Sequence, residues 1–179
     1  MSVQRKHTVL IGLAFLICLV LSYFGNTIFF NTLSVLSQNQ LSFFLMIFIN
    51  NVIVISLILL GMAFYVNLVV SDFFKREKYA YIVLDHPRTF AAVFAFMILF
   101  LSILRGANFF FGGVMVEALP SILLVSAPIG IIEGYGIYIT IKKTLSRTMS
   151  MKDLAYIYGI FIVAAVIEVS FINLLTWVG

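Results

Sequence analysis

The chain is expected to fold as an all-α, polytopic transmembrane helix bundle. Three observations predict this: 63% of its 179 residues are hydrophobic, only 10% are charged, and the mean hydropathy is +1.17. Soluble globular domains do not reach such values. Hydrocarbon offers backbone N–H and C=O groups no water, so an apolar run of about 20 residues has to satisfy them internally as a helix. We expect one integral membrane domain over residues 1–179, with about five spans at 8–25, 41–70, 89–111, 120–141 and 154–178. No polar segment is long enough to form a separate soluble domain.

The first span follows Arg5, Lys6 and His7. Its apolar run is too long for a signal peptide, and no small-residue cleavage pattern follows it, so it is read as uncleaved. The second, 41–70, carries no charge over thirty residues, about 45 Å as a single helix against a hydrocarbon core of roughly 30 Å. It has to tilt, break or begin at the interface. The third follows Asp85-His86-Pro87, where Pro87 suits a first helical turn. In the fourth, Pro128 withdraws an amide donor and implies a kink. The fifth ends at Trp177, an interfacial anchor.

Lys and Arg settle the expected orientation. Residues 5–6, 75–88 and 142–152 bring their cations to one side, and Arg105 alone falls on the other. The positive-inside rule then places the N-terminus in the cytoplasm and the C-terminus outside, in the cell membrane. Residues 71–88 intersperse Phe73, Phe74, Tyr79 and Tyr81 with Lys75, Arg76 and Lys78, a pattern suited to an amphipathic helix at the interface. The same distribution accounts for the net charge of +4 without nucleic acid, because the basic residues flank apolar spans and form no stripe.

Polar groups inside the spans are the candidate functional residues. Glu133 and Glu168 lie at membrane depth, where a charge costs on the order of 2.5 to 3.5 kcal/mol on insertion scales. Each therefore needs a proton, a hydrogen bond or a hydrated cavity. Asn50, Asn51 and Asn108 offer amide partners. At 100° per residue, Ser126, Gly130 and Gly134 share a small-residue row with Glu133 nearby, and Ala164, Ala165 and Phe161 share the face of Glu168. Small residues allow close helix contact.

Other chemistry finds no support. The chain lacks a phosphate-cradling Gly-rich loop, a paired-His zinc helix and a Gly-x-Ser-x-Gly elbow. His7 and His86 have no partner at ligand spacing, so no metal and no cofactor is expected. The single Cys18 is read as a small packing residue.

Three stretches, Phe48-Ile49-Asn50-Asn51 with Gly61 downstream, Ala127-Pro128-Ile129-Gly130-Ile131-Ile132-Glu133, and Ala164-Ala165-Val166-Ile167-Glu168, resemble the stage II sporulation protein M family of multi-span membrane proteins. That family carries Asn in an early span, Pro-His-Gly-x-x-Glu in a later one and small-small-x-x-Glu in the last. The resemblance covers about two thirds of the chain and would mark Asn51, Pro128, Gly130, Glu133 and Glu168, with Asn108 and Gly112 as a weaker match. Ile129 stands where many members have His. The founding member scaffolds a peptidoglycan-degrading engulfment complex in spore-forming bacteria.

Three functions remain open on these grounds. The leading expectation is a non-enzymatic membrane scaffold or assembly subunit, self-associating and with a membrane-protein partner. The second is a small ion or proton channel or transporter that uses Glu133 and Glu168. An intramembrane enzyme with the two carboxyls as acid and base comes third, because no nucleophile accompanies them.

Overall fold

The computed structural model describes the backbone of residues 3–36, 39–71, 81–111 and 119–178, and the side chains of residues 6–25, 27–28, 39–71, 81–101 and 129–170. Among the described residues all regular structure is helical: α1 (Val3–Leu36), α2 (Gln40–Val70), α3 (Ile82–Asp85), α4 (Pro87–Phe111), α5 (Leu119–Leu145) and α6 (Met151–Val178). By length and composition α1, α2 and α6 can each cross a membrane, and α4 contributes a shorter described apolar stretch, Pro87–Leu101.

Local signals account for the helix ends. Asn39 caps α2, its side-chain oxygen accepting the N–H of Leu41 at 3.1 Å and of Ser42 at 3.3 Å, which satisfies two donors that the first turn leaves open. At the start of α6, Ser150 and Asp153 form a reciprocal capping box: the Ser150 N–H donates to Asp153 Oδ2 at 3.0 Å, and the Asp153 N–H donates to Ser150 Oγ at 3.2 Å. The α5 terminus closes with the Thr148 N–H donating to the Lys143 carbonyl and the Arg147 N–H to that of Thr144, both at 3.0 Å. This is a Schellman motif with Arg147 at φ 56° where glycine is usual.

Several expected boundaries shift. The first helix starts earlier and ends later than 8–25, running to Leu36, because no proline interrupts it. Helix α2 neither breaks nor shortens; 31 residues stay in one helix. Pro87 does open α4, and the His86 carbonyl accepts the Phe90 N–H at 3.1 Å. Between α2 and α4 the described residues contain the four-residue α3, while 72–80, half of the expected interfacial segment, lie outside the described residues. Helix α5 continues through Pro128.

Helices α2, α5 and α6 pack on one another and form the centre; α1 lies along α2, and α4 along α5. Helices α2 and α6 are antiparallel, since Phe43 and Ile47 meet Ala165 and Val169 while Ser56, further along α2, meets Tyr158, further back along α6. The main core joins Ile55 of α2, Ala91 and Ala95 of α4, Ile141 of α5 and Phe161 of α6. On α1 the contact to α2 is reciprocal: Phe15 lies against Gly61 and Phe64 against Gly12, with the two rings stacked 6.3 Å apart. Cys18 contributes only a long 3.9 Å approach to the Ile53 carbonyl, in keeping with a packing role.

The outer faces are apolar. Leu10 is 68% exposed, Tyr23 70% and Phe96 70%, and helices this hydrophobic around their whole circumference suit a lipid surrounding.

Candidate functional site

A polar junction occupies the contact of α2, α5 and α6. Asn51 of α2 donates its side-chain amide to Glu133 Oε1 of α5 at 3.1 Å. Glu168, approaching from α6, lies within electrostatic range of the Glu133 carboxyl. The residues under Glu168 explain its placement: Ala164 and Ala165 are fully buried and Phe161 nearly so, so this face of α6 points into the bundle and carries the carboxyl with it.

A second polar bridge lies further along the same helices. Ser56 Oγ of α2 and Tyr158 Oη of α6 are 2.9 Å apart. The bridge was legible in principle, because a tyrosine in the middle of an apolar helix has to find a partner for its hydroxyl. Inside α5, Thr140 donates to the Gly136 carbonyl at 2.8 Å and Thr144 to the Thr140 carbonyl at 2.7 Å. Both hydroxyls are thereby buried without an open hydrogen bond.

The expected small-residue row divides by contact. A Cβ on Gly134 would collide with Leu99 of α4, whereas one on Gly130 would meet no atom within 4 Å. The tightest approach to α6 belongs to a glycine that spacing did not single out: a Cβ on Gly136 would lie 2.7 Å from the Phe161 ring and 3.3 Å from Ile160. Asn51, and not Asn50, reaches Glu133; Asn50 is half-buried on α2. The side chains of Asn108, Pro128 and Trp177 lie outside the described residues, as does Gly112.

An apolar groove of about 610 Å³ runs between α5 and α6, lined by Ile131, Tyr135, Ala155, Tyr156, Gly159 and Val163 among others. Gly159 leaves open space above its backbone, and Ile131 is 71% exposed at the groove's edge. Among the described residues no three His, Cys, Asp or Glu side chains gather as a metal ligand set. Two carboxyls and an amide can hold a proton or a hydrogen-bonded network.

No protein-family model, curated protein or solved structure matches the chain.

Proposed function

We propose that the protein is a non-enzymatic integral membrane assembly subunit of about five spans, resembling stage II sporulation protein M, with a cytoplasmic N-terminus and an external C-terminus in the cell membrane. The observation that carries this reading is the α5–α6 groove. Its floor is Gly159 with Ala155 one turn before it, the small-x-x-x-small spacing that lets another helix approach closely in lipid. The groove receives a helix of a second copy or of a membrane-protein partner. The polar junction of Asn51, Glu133 and Glu168 then serves to fix the register of α2, α5 and α6, because an unpaired carboxyl in hydrocarbon is costly in any other arrangement.

Gly159→Leu fills the groove while leaving the junction intact. Crosslinking in native membranes followed by mild-detergent purification should show loss of the oligomer or of the co-purified partner. Unchanged stoichiometry in this variant would refute the assembly role.

A second reading is favoured by the two carboxyls, Glu133 and Glu168, carried by helices that pack on each other. Two carboxyls near one another at membrane depth can pass a proton or partly strip a cation of its water, as in a small channel or coupled transporter. Purified protein in liposomes should then dissipate a proton or cation gradient, with the flux lowered by Glu133→Gln and by Glu168→Gln. An absence of flux above protein-free liposomes excludes this reading.

A further inference from the structure

The turn between α5 and α6 gathers four cations within eleven residues: Lys142, Lys143, Arg147 and Lys152. One acid stands among them. Asp153 is committed locally, since it accepts the Ser150 hydroxyl at 2.7 Å and N–H at 3.0 Å and pairs with Lys143 at 3.3 Å. Lys142, Arg147 and Lys152 have no carboxylate partner among the described residues. Among the described residues the turn therefore presents three cations without an acidic partner.

The turn is a rigid frame. The Schellman motif fixes its first half and the capping box its second, so the cations are presented from a defined backbone. Lys142 is held further, with its ammonium 5.6 Å from the centre of the Tyr138 ring. Arg147 is exposed on a left-handed residue, φ 56°, which costs an ordinary side chain about 1 kcal/mol or more relative to the right-handed region. Backbone strain of this kind collects where a side chain has a task beyond packing. Beside it Met151, 81% exposed, adds an apolar side chain to the basic surface.

The geometry points to a binding site for an anionic lipid headgroup at the α5–α6 turn, to which Lys142, Arg147 and Lys152 supply the charge and the exposed Met151 an apolar side chain. A lipid fits better than a soluble phosphate because the frame caps two membrane-length helices and combines charge with an exposed apolar side chain. Arg147 suits a phosphate through its planar fork of donors, Lys142 and Lys152 as point charges. The inference rests on α5 and α6 spanning the membrane, a condition tested separately by which side of sealed vesicles labels single cysteines placed at the two ends of each helix.

The test uses the full chain in phosphatidylcholine nanodiscs doped with phosphatidylglycerol, reading by native mass spectrometry how many phosphatidylglycerol molecules stay bound after release from the disc. Wild type should retain it in preference to phosphatidylcholine. Each neutralised cation should weaken retention about fivefold, and Lys142→Gln/Arg147→Gln/Lys152→Gln together on the order of 100-fold. Arg88→Gln, an exposed cation at the start of α4, serves as the control for general surface charge and should weaken retention clearly less than any of the three. Equal retention by the triple variant would overturn the site; so would an equal loss in Arg88→Gln, which would reduce the effect to general surface charge. Displacement of the lipid by inorganic phosphate alone would assign the site to a soluble anion and overturn it as well. If the triple variant fails to fold in phosphatidylcholine, Lys152→Gln, an exposed side chain, gives the fivefold reading by itself.

Discussion

Asn51 and Glu133, 82 residues apart in sequence, are joined by a 3.1 Å hydrogen bond from the α2 amide to the α5 carboxyl. The pair ties together two helices that are not neighbours in the chain, with Glu168 of α6 close by. Polar contacts between membrane helices are worth about 0.6 kcal/mol on average and rarely reach 2, so the bond acts mainly by excluding other registers.

A double-mutant cycle tests this directly. Asn51→Leu should destabilise the detergent-solubilised protein, because the carboxyl loses its donor, while Asn51→Leu/Glu133→Leu should recover much of the loss. Titration with a denaturing detergent should give a coupling of about 1 kcal/mol. A coupling of zero would mean that the two side chains do not interact in the folded bundle.

Two glycines on α5 should respond in opposite directions. Gly136→Ala drives a methyl group into the Phe161 ring, which is 3% exposed and has little room to move, and should cost roughly 1 to 3 kcal/mol through overpacking. Gly130→Ala meets open space and should be neutral or gain up to about 1 kcal/mol from helix propensity. Thermal melts of both variants in one detergent provide the comparison.

Arg147→Gly should stabilise the protein in uncharged detergent by about 0.5 to 1 kcal/mol, the relieved left-handed strain less the added entropy of an unfolded glycine. A lower melting temperature would show that the Arg147 side chain contributes more to the fold than its backbone strain removes.

The cap of α6 makes stability depend on pH. Asp153 sits ahead of the apolar run, and the Ser150 hydroxyl and N–H, with Lys143 in support, hold its carboxyl below the usual aspartate range. A carboxyl whose folded pKa is depressed binds fewer protons folded than unfolded. Its contribution is therefore present above the unfolded value of about 3.9 and lost as pH falls through the lower folded value. Melts of wild type should drop over that acid range, and those of Asp153→Asn should lack that component.

Much of the bundle was legible because hydrophobic length alone determines where a membrane chain becomes helical. Pro87 marks the start of α4, and the Ala164-Ala165 face orients Glu168 as helical spacing implied. The Ser150-x-x-Asp153 box was equally readable, yet it attracts less notice than the cations around it. Pairing was harder. Spacing placed Gly130 and Gly134 in one row, but which neighbour each meets depends on how α4 and α6 are arranged around α5, and a period of 3.6 residues carries no information about that. Helical spacing likewise does not separate Asn50 from Asn51; the resemblance marked Asn51, and the rotation of α2 against α5 brings that amide to Glu133.

The reach of that hydrogen bond sets an order on biogenesis. At about 5 to 20 residues per second, Glu133 is synthesised roughly 4 to 16 seconds after Asn51, so the α2 amide is made well before its partner. During that interval its available companion is α1, already fitted to it through Phe15 on Gly61 and Phe64 on Gly12. In the finished fold α1 and α2 are a packed pair, and α5, synthesised later, supplies the partner of an amide made before it.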